Sequence, residues 1–149
     1  MADETVAYTP SRRRLRSTLA ILAGFIAVVA LSLGTDQILH VLEIYPPWDQ
    51  PMHDPALNFL ALSYRLVYSV IGSWIAARLA PRNPMRHALI LGFIGLVPAT
   101  VGAIVSIPMN LGPNWYPISL VVAAVPCAWL GGALHRMSNT AAAASGAAN

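Results

Sequence analysis

Residues 15–42 read LRSTLAILAGFIAVVALSLGTDQILHVL, and no charged side chain occurs between Arg16 and Asp36. A helix needs about 20 apolar residues to cross the hydrocarbon core of a bilayer. Three more stretches have this character, over residues 56–79, 85–107 and 116–134. A backbone in lipid must satisfy its own hydrogen bonds, which a helix does within one segment. The sequence therefore predicts an all-α membrane protein with four transmembrane helices at about 15–42, 56–79, 85–107 and 116–134.

Composition supports lipid as the principal partner of the chain. Charged residues make up 10% of the sequence and hydrophobic residues 56%, whereas a soluble domain carries about 25% charged residues. The chain has no lysine, and its nine basic residues are arginines grouped between apolar runs. That grouping does not form the diffuse basic surface of a nucleic-acid-binding protein, so no nucleic-acid partner is predicted. The single Cys127 excludes an internal disulfide and a cysteine-based zinc site.

Short polar connections rich in proline separate the apolar stretches. Four prolines lie between residues 46 and 55, two between 81 and 84, and Gly112 precedes two more at the last connection. Such short connections predict an antiparallel up-down bundle over residues 15–136. Residues 1–14 and 137–149 are polar or alanine-rich with nothing to pack on, so both ends are predicted to be disordered.

The arginines predict the orientation of the bundle. Eight of the nine flank one side of the predicted helices, and the loops of the other side hold none. The positive-inside rule then places both termini in the cytoplasm. Trp48 and Trp115 would anchor the outer interface, and Trp74 and Trp129 the inner one. SRRRLR at residues 11–16 also suggests a signal peptide, but the apolar run that follows is too long and lacks a cleavage site.

Small residues predict where the helices pack, because association in lipid depends on close approach of backbones. The third helix has such residues at steps of four and three, on one face. The predicted packing positions are Ala88, Gly92, Gly95, Ala99, Gly102, Gly131 and Gly132. One stripe of this kind could instead serve a homo-oligomer or another membrane-protein partner. Pro98 and Pro126 predict kinks, with a hinge or a broken-helix site as the alternative.

Three polar residues inside the predicted spans are the candidate functional residues. Asp36 and His40 share a face of the first helix, and Arg65 lies on the small-residue face of the second. An unpaired arginine at that depth costs about 2.5 to 3.5 kcal/mol, so Asp36 is predicted to pair with it. The pair would fix helix register, and two alternatives stay open. Asp36 or His40 could titrate in proton or ion movement, or the group could bind a polar ligand or lipid headgroup.

No motif for an enzyme, metal or cofactor is present. A nucleophile–base arrangement, a phosphate loop and a dinucleotide fingerprint are all missing. His40, Glu43, His53 and Asp54 match no zinc-site spacing. We therefore predict no catalytic residues, no metal and no cofactor, and a membrane enzyme ranks below the other readings.

Several short runs carry a resemblance to a known group of proteins. They are GTDQILHVLEIYPPWDQPM from Gly34, SYRLVY from Ser63, ARLAPRNPMRHALILG from Ala77 and PCAWLGG from Pro126. Together they resemble an uncharacterised group of small four-helix bacterial membrane proteins with no assigned activity. The resemblance covers about residues 15–136 and implies a bacterial inner membrane. It transfers no catalytic or binding residue to this chain.

Two functions follow as predictions. The first is a small integral inner-membrane protein of structural or accessory type, which self-associates or binds another membrane protein. The second is a subunit of an oligomeric transporter or channel, in which Asp36, His40 and Arg65 line an intramembrane polar path. A similarity between RSTLAILAGFI at Arg16 and RHALILGFI at Arg86 leaves open that the two hairpins are a duplication.

The orientation is directly testable. A reporter fused after Asn149 is expected to be cytoplasmic, because arginine is confined to one side of the predicted spans. Activity of alkaline phosphatase and of green fluorescent protein, fused in parallel at that position, measures the location. A periplasmic reporter would contradict the helix count or the sidedness.

Overall fold

The computed structural model describes residues 10–146, which form four α-helices and no strand. The helices are α1 (Pro10–Val41), α2 (Pro55–Leu79), α3 (Pro84–Ser106) and α4 (Trp115–Gly146). Each is long and apolar enough to cross a membrane, and the candidate spans are Arg12–Val41, Pro55–Leu79, Pro84–Ser106 and Trp115–Ala144. The all-α class and the four candidate membrane helices predicted from sequence are confirmed.

The ends of the chain are more helical than predicted. Residues 10–14 belong to α1 and residues 137–146 continue α4, although both were predicted to be disordered. Arginine and alanine are good helix formers, so each helix continues past the apolar stretch instead of stopping where hydrophobicity ends. The rest of the two predicted disordered ends, residues 1–9 and 147–149, lies outside the described residues.

The surface and interior are distributed as expected for a protein in lipid. Large apolar side chains point outward on all four helices, among them Leu19, Ile26, Phe59, Val97, Ile104 and Val122. The buried apolar positions are mostly alanines, including Ala20, Ala61, Ala76, Ala77, Ala88 and Ala128. Small buried residues let helix backbones approach, and lipid solvates the large apolar side chains on the outside.

Several glycines lie where two helices approach each other closely. A Cβ on Gly72 of α2 would lie 2.7 Å from the carbonyl oxygen of Gly24 of α1. Gly131 of α4 packs on α2, where a Cβ would lie 2.7 Å from Cβ of Ser73 and 2.8 Å from N of Trp74. At Gly132, the next residue, α4 packs on α3, where a Cβ would lie 2.7 Å from the sulfur of Met85 and 3.1 Å from Cβ of Ala88. Adjacent glycines of α4 thus join it to two different helices.

The predicted packing stripe of α3 divides into two parts. Ala88 is fully buried, and a Cβ on Gly92 would meet Ala128 of α4. A Cβ on Gly95 or on Gly102 would meet nothing within 4 Å. Gly95 and Gly102 are therefore not points of close helix approach within this chain, although Ala103 in the same half of α3 is buried. Their use in packing against a second copy or a partner stays a prediction. Ala99, between these two glycines, lines a cavity instead.

Two loops meet at one end of the bundle, which we call the loop end. The α1–α2 loop donates from Met52 N to Leu111 O of the α3–α4 loop at 2.9 Å. The buried Asn58 donates through Nδ2 to the carbonyls of Met52 and Asp54, both at 2.8 Å. The Asp54 carboxylate caps α2 by accepting from Ala56 N at 2.7 Å. These bonds hold the loops over the residues described below.

A matched pair of glycine substitutions tests the packing. Gly131→Ala is expected to lower the free energy of unfolding by about 1 to 3 kcal/mol, because the new methyl group meets backbone atoms that cannot move aside. Gly95→Ala, in open space, is expected to be neutral or stabilising by about 0.5 to 1 kcal/mol through helix propensity. Unfolding in mixed detergent micelles, followed by circular dichroism, measures both. Equal effects would contradict the packing described here.

Candidate functional site

An ion pair joins α1 to α2 near the loop end. Arg65 Nη2 lies 2.5 Å from Asp36 Oδ2. The other carboxylate oxygen, Oδ1, accepts a hydrogen bond from the Tyr64 hydroxyl. Asp36 is only 5% exposed, whereas the Arg65 side chain is 32% exposed. Both oxygens of the buried carboxylate therefore have partners, as a charge in a low-dielectric environment requires.

The hydrogen-bond network extends from the ion pair into the α1–α2 loop. The hydroxyls of Tyr64 and Tyr45 lie 3.3 Å apart, and Tyr45 donates to the carbonyl of Leu57 at 3.4 Å. Burial raises the pKa of Tyr45 above its usual value, so the phenol stays neutral and remains a donor. One turn along, Thr35 and Tyr68 share a second bond between α1 and α2, with their oxygens 2.9 Å apart.

His40 lies near the ion pair but forms no hydrogen bond with it. Its ring is 3.8 Å from the ring of Trp48, centroid to centroid, and 5.4 Å from that of Tyr45 in an edge-on arrangement. The buried Nδ1 has no hydrogen-bond partner within the described residues. The structure thus joins Asp36 and Arg65 directly, and it places His40 in an aromatic cluster beside them.

A polar pocket lies between these residues and the loop above them. This loop pocket has a volume of about 330 Å³ and is lined by Asp36, His40, Tyr45, Trp48, Arg65 and Tyr116, among others. Two carboxylates, one arginine and one histidine reach it, counting Asp49 of the loop. It is therefore a mixed-charge site at the end of the bundle.

A larger cavity lies between the four helices below the loop pocket. This central cavity has a volume of about 460 Å³, within the usual range of ligand sites. Its walls include Val28 of α1, Leu66 of α2, Gly95 and Ala99 of α3, and Leu120 of α4. The backbones of α1 and α4 do not approach each other closely in the described residues. On α3 the wall extends from Leu91 to Ser106.

The central cavity is open to its surroundings over part of its wall. Val29, Pro98 and Gly102, which line it, are exposed. Hydrocarbon from the membrane or a bound molecule is therefore expected to occupy the space.

Arg65 and Tyr116 line both the loop pocket and the central cavity. Their side chains form the boundary between a polar compartment and an apolar one. Arg65 Nε and Ser106 Oγ near this boundary are buried without hydrogen-bond partners in the described residues. Two polar atoms without hydrogen-bond partners therefore lie next to the apolar space of the central cavity.

The tryptophans predicted as interface anchors differ in their surroundings. Trp48 is 66% exposed even though it stacks on His40, and Trp115 and Trp129 are also exposed. Trp74 is partly buried, with the Arg78 guanidinium 5.2 Å from its ring and the ring of His135 at 6.4 Å. Trp74 therefore combines helix packing with a cation–π contact.

No group of three or more histidine, cysteine or acidic side chains is placed to hold a metal in residues 10–146. Asp54, one of the residues considered from sequence for such a group, caps α2 instead. Cys127 is buried and unpaired. Asp54 and Cys127 therefore lie elsewhere in the structure, and neither belongs to the Asp36–Arg65 cluster.

Sequence reasoning missed part of the site. The residues predicted from sequence were Asp36, His40 and Arg65, and they did not include Tyr45, Tyr64 or Tyr116. Tyr45 reaches the ion pair because the loop folds back over α1, and Tyr116 because the start of α4 lies against Arg65. The only signal in the sequence was the number of tyrosines near the polar residues.

Comparisons with protein-family models, with curated proteins and with solved structures find no match to this chain. The resemblance described from the sequence stays a prediction.

Charge balance at the ion pair gives the next prediction. Asp36→Asn leaves Arg65 without a counter-charge and is expected to lower the free energy of unfolding by about 3 to 5 kcal/mol. The double variant Asp36→Leu with Arg65→Met removes both charges at similar volume and is expected to lie within about 1 kcal/mol of the wild type. Unfolding in mixed detergent micelles measures each variant.

The matched control is Glu43→Gln, which removes one exposed carboxylate from the turn that follows the same helix. It is expected to change stability by less than about 0.5 kcal/mol. A double variant as unstable as Asp36→Asn would show that Asp36 and Arg65 do not act as a pair.

Proposed function

We propose that this chain is an antiparallel up-down bundle of the bacterial inner membrane with both termini in the cytoplasm. The order of contacts between α1 and α2 supports the antiparallel arrangement. Asp36 meets Arg65, whereas Gly24, earlier in α1, meets Gly72, later in α2. The arginine distribution supports the orientation, and the resemblance noted above supports the bacterial inner membrane.

In that membrane the chain serves a structural or accessory role, by self-association or by binding another membrane protein, and it is not an enzyme. The observation that carries this proposal is that both oxygens of the Asp36 carboxylate have partners, one in Arg65 and the other in Tyr64. A carboxylate engaged in this way fixes the register of α1 against α2. Exposed apolar side chains on every helix offer surface to a membrane partner.

A second candidate is a subunit of an oligomeric transporter or channel. The observation in its favour is that Arg65 and Tyr116 line both the loop pocket and the central cavity. Movement of Arg65 away from Asp36 would connect the two compartments. Asp36, His40 and Arg65 would then line the entrance to a path between the helices.

Flux measurements separate the two candidates. The full chain is reconstituted into vesicles under an imposed proton gradient and, separately, a potassium gradient. The accessory role predicts leakage no faster than in protein-free vesicles, because Arg65 and Tyr64 hold the Asp36 carboxylate in a fixed position. Flux that is present in the wild type and lost in the folded Asp36→Leu, Arg65→Met variant would overturn the accessory role.

Crosslinking in cells tests the partner directly. A photoreactive amino acid placed at the exposed Val97 or Ile104 of α3, or at Phe59 of α2, samples the lipid-facing surface. The accessory role predicts a protein adduct from at least one of these faces, either a second copy or another membrane protein. Adducts with lipid alone from all three positions would contradict it.

A further inference from the structure

The lining of the central cavity has its charged residue at one end and is mostly apolar elsewhere, with the hydroxyls of Ser32, Ser69 and Ser73 among the apolar side chains. Arg65, Ser106 and Tyr116 lie at its loop end, where α3 finishes and α4 begins. Phe25 and Leu91 lie toward the middle of the bundle, with Leu66 and Leu120 between. A molecule that matches this lining has a polar group at one end and hydrocarbon along the rest of its length.

The shape of the cavity excludes a helix as its occupant. A helix with its side chains is about 10 Å across, so about 460 Å³ would hold roughly one turn of it. All four helices of this chain contribute to the wall. A hydrocarbon chain is narrow enough to follow the Gly95, Ala99 and Gly102 face, where no side chain fills the space.

The charges around the central cavity indicate which polar group its occupant carries. Arg65 is the only charged residue in the described wall of the central cavity, and Asp36 at 2.5 Å already balances it. An anionic headgroup would bring an unbalanced negative charge into an apolar space beside Asp36, at a high desolvation cost. Arginine and hydroxyl side chains do supply hydrogen-bond donors. A neutral acceptor, such as a carbonyl or a hydroxyl, suits this boundary better than a carboxylate or phosphate.

We propose that the central cavity binds one neutral single-chain amphiphile drawn from the membrane. Its carbonyl or hydroxyl end lies at Arg65 and Tyr116, and its hydrocarbon chain lies along Gly95, Ala99 and Gly102 of α3. The glycines that α3 does not use for helix contacts thus provide the volume for the chain. This assignment is independent of the choice between an accessory and a transport role, since it concerns occupancy and not flux.

Photolabelling of the full chain in nanodiscs tests the proposal. The probe is a monoacylglycerol with a diazirine midway along its chain, and the comparison probe is the fatty acid of the same length at pH 8. The monoacylglycerol is expected to label peptides from residues 91–106 and 117–124, and unlabelled monoacylglycerol should compete. Labelling should fall about tenfold or more in Gly95→Leu, Gly102→Leu, because the leucines take up the volume that the chain needs.

Gly34→Leu is the matched control, because a Cβ there also meets nothing within 4 Å but Gly34 does not line the cavity. It should label as the wild type does. Native mass spectrometry of the wild-type chain gives a readout without any substitution, and one neutral lipid per chain is expected.

Three results would overturn the assignment. One is equal labelling of Gly95→Leu, Gly102→Leu and Gly34→Leu. Another is stronger labelling by the fatty acid, which would show that the site takes an anion. The third is a change of oligomeric state in Gly95→Leu, Gly102→Leu but not in Gly34→Leu, which would show that a second copy covers this face of α3.

Discussion

The charge of Arg65 must be balanced within helices that are otherwise built for hydrocarbon, and Asp36 supplies that balance at 2.5 Å. The pair ties α1 to α2 at one position along their length. Tyr64 binds the remaining carboxylate oxygen, and Tyr45 brings the α1–α2 loop down onto Tyr64. The loop, the ion pair and the register of two helices are therefore parts of one arrangement, which follows from the need to satisfy a single buried carboxylate.

Small residues determine the rest of the architecture, since helices in lipid gain from packing and not from exclusion of water. Gly24 and Gly72 bring α1 onto α2, and Gly131 and Gly132 bring α4 onto α2 and α3. Close approach at these points leaves the helices apart elsewhere. The central cavity lies beside Gly95, Ala99 and Gly102 of α3, and residues of α4 such as Leu120 belong to the same wall.

The polar cluster and the cavity are linked through Arg65 and Tyr116, which belong to both. Any change that moved Arg65 would alter the ion pair, the loop pocket and the end of the cavity together. The proposed accessory role requires Arg65 to stay in place beside Asp36. The proposed transport role requires Arg65 to move away from it. Both proposed roles thus depend on the same side chain, and they differ only in whether the Asp36 contact opens.

The sequence by itself determined the four helices, because apolar runs of bilayer length bounded by proline admit no other backbone in lipid. It also identified Asp36 and Arg65 as partners, since a lone charge at that depth is costly and few counter-charges were available. The ends of the helices were harder to predict from the sequence. Helix α4 continues through an alanine-rich segment, and hydrophobicity alone does not predict that the helix extends so far. Only the tertiary structure decided which small residues pack: Gly92 meets Ala128, whereas Gly95 and Gly102, on the same face, meet nothing. The reason is physical: periodicity gives the face of a helix, but the point at which two helices diverge depends on every contact along both of them.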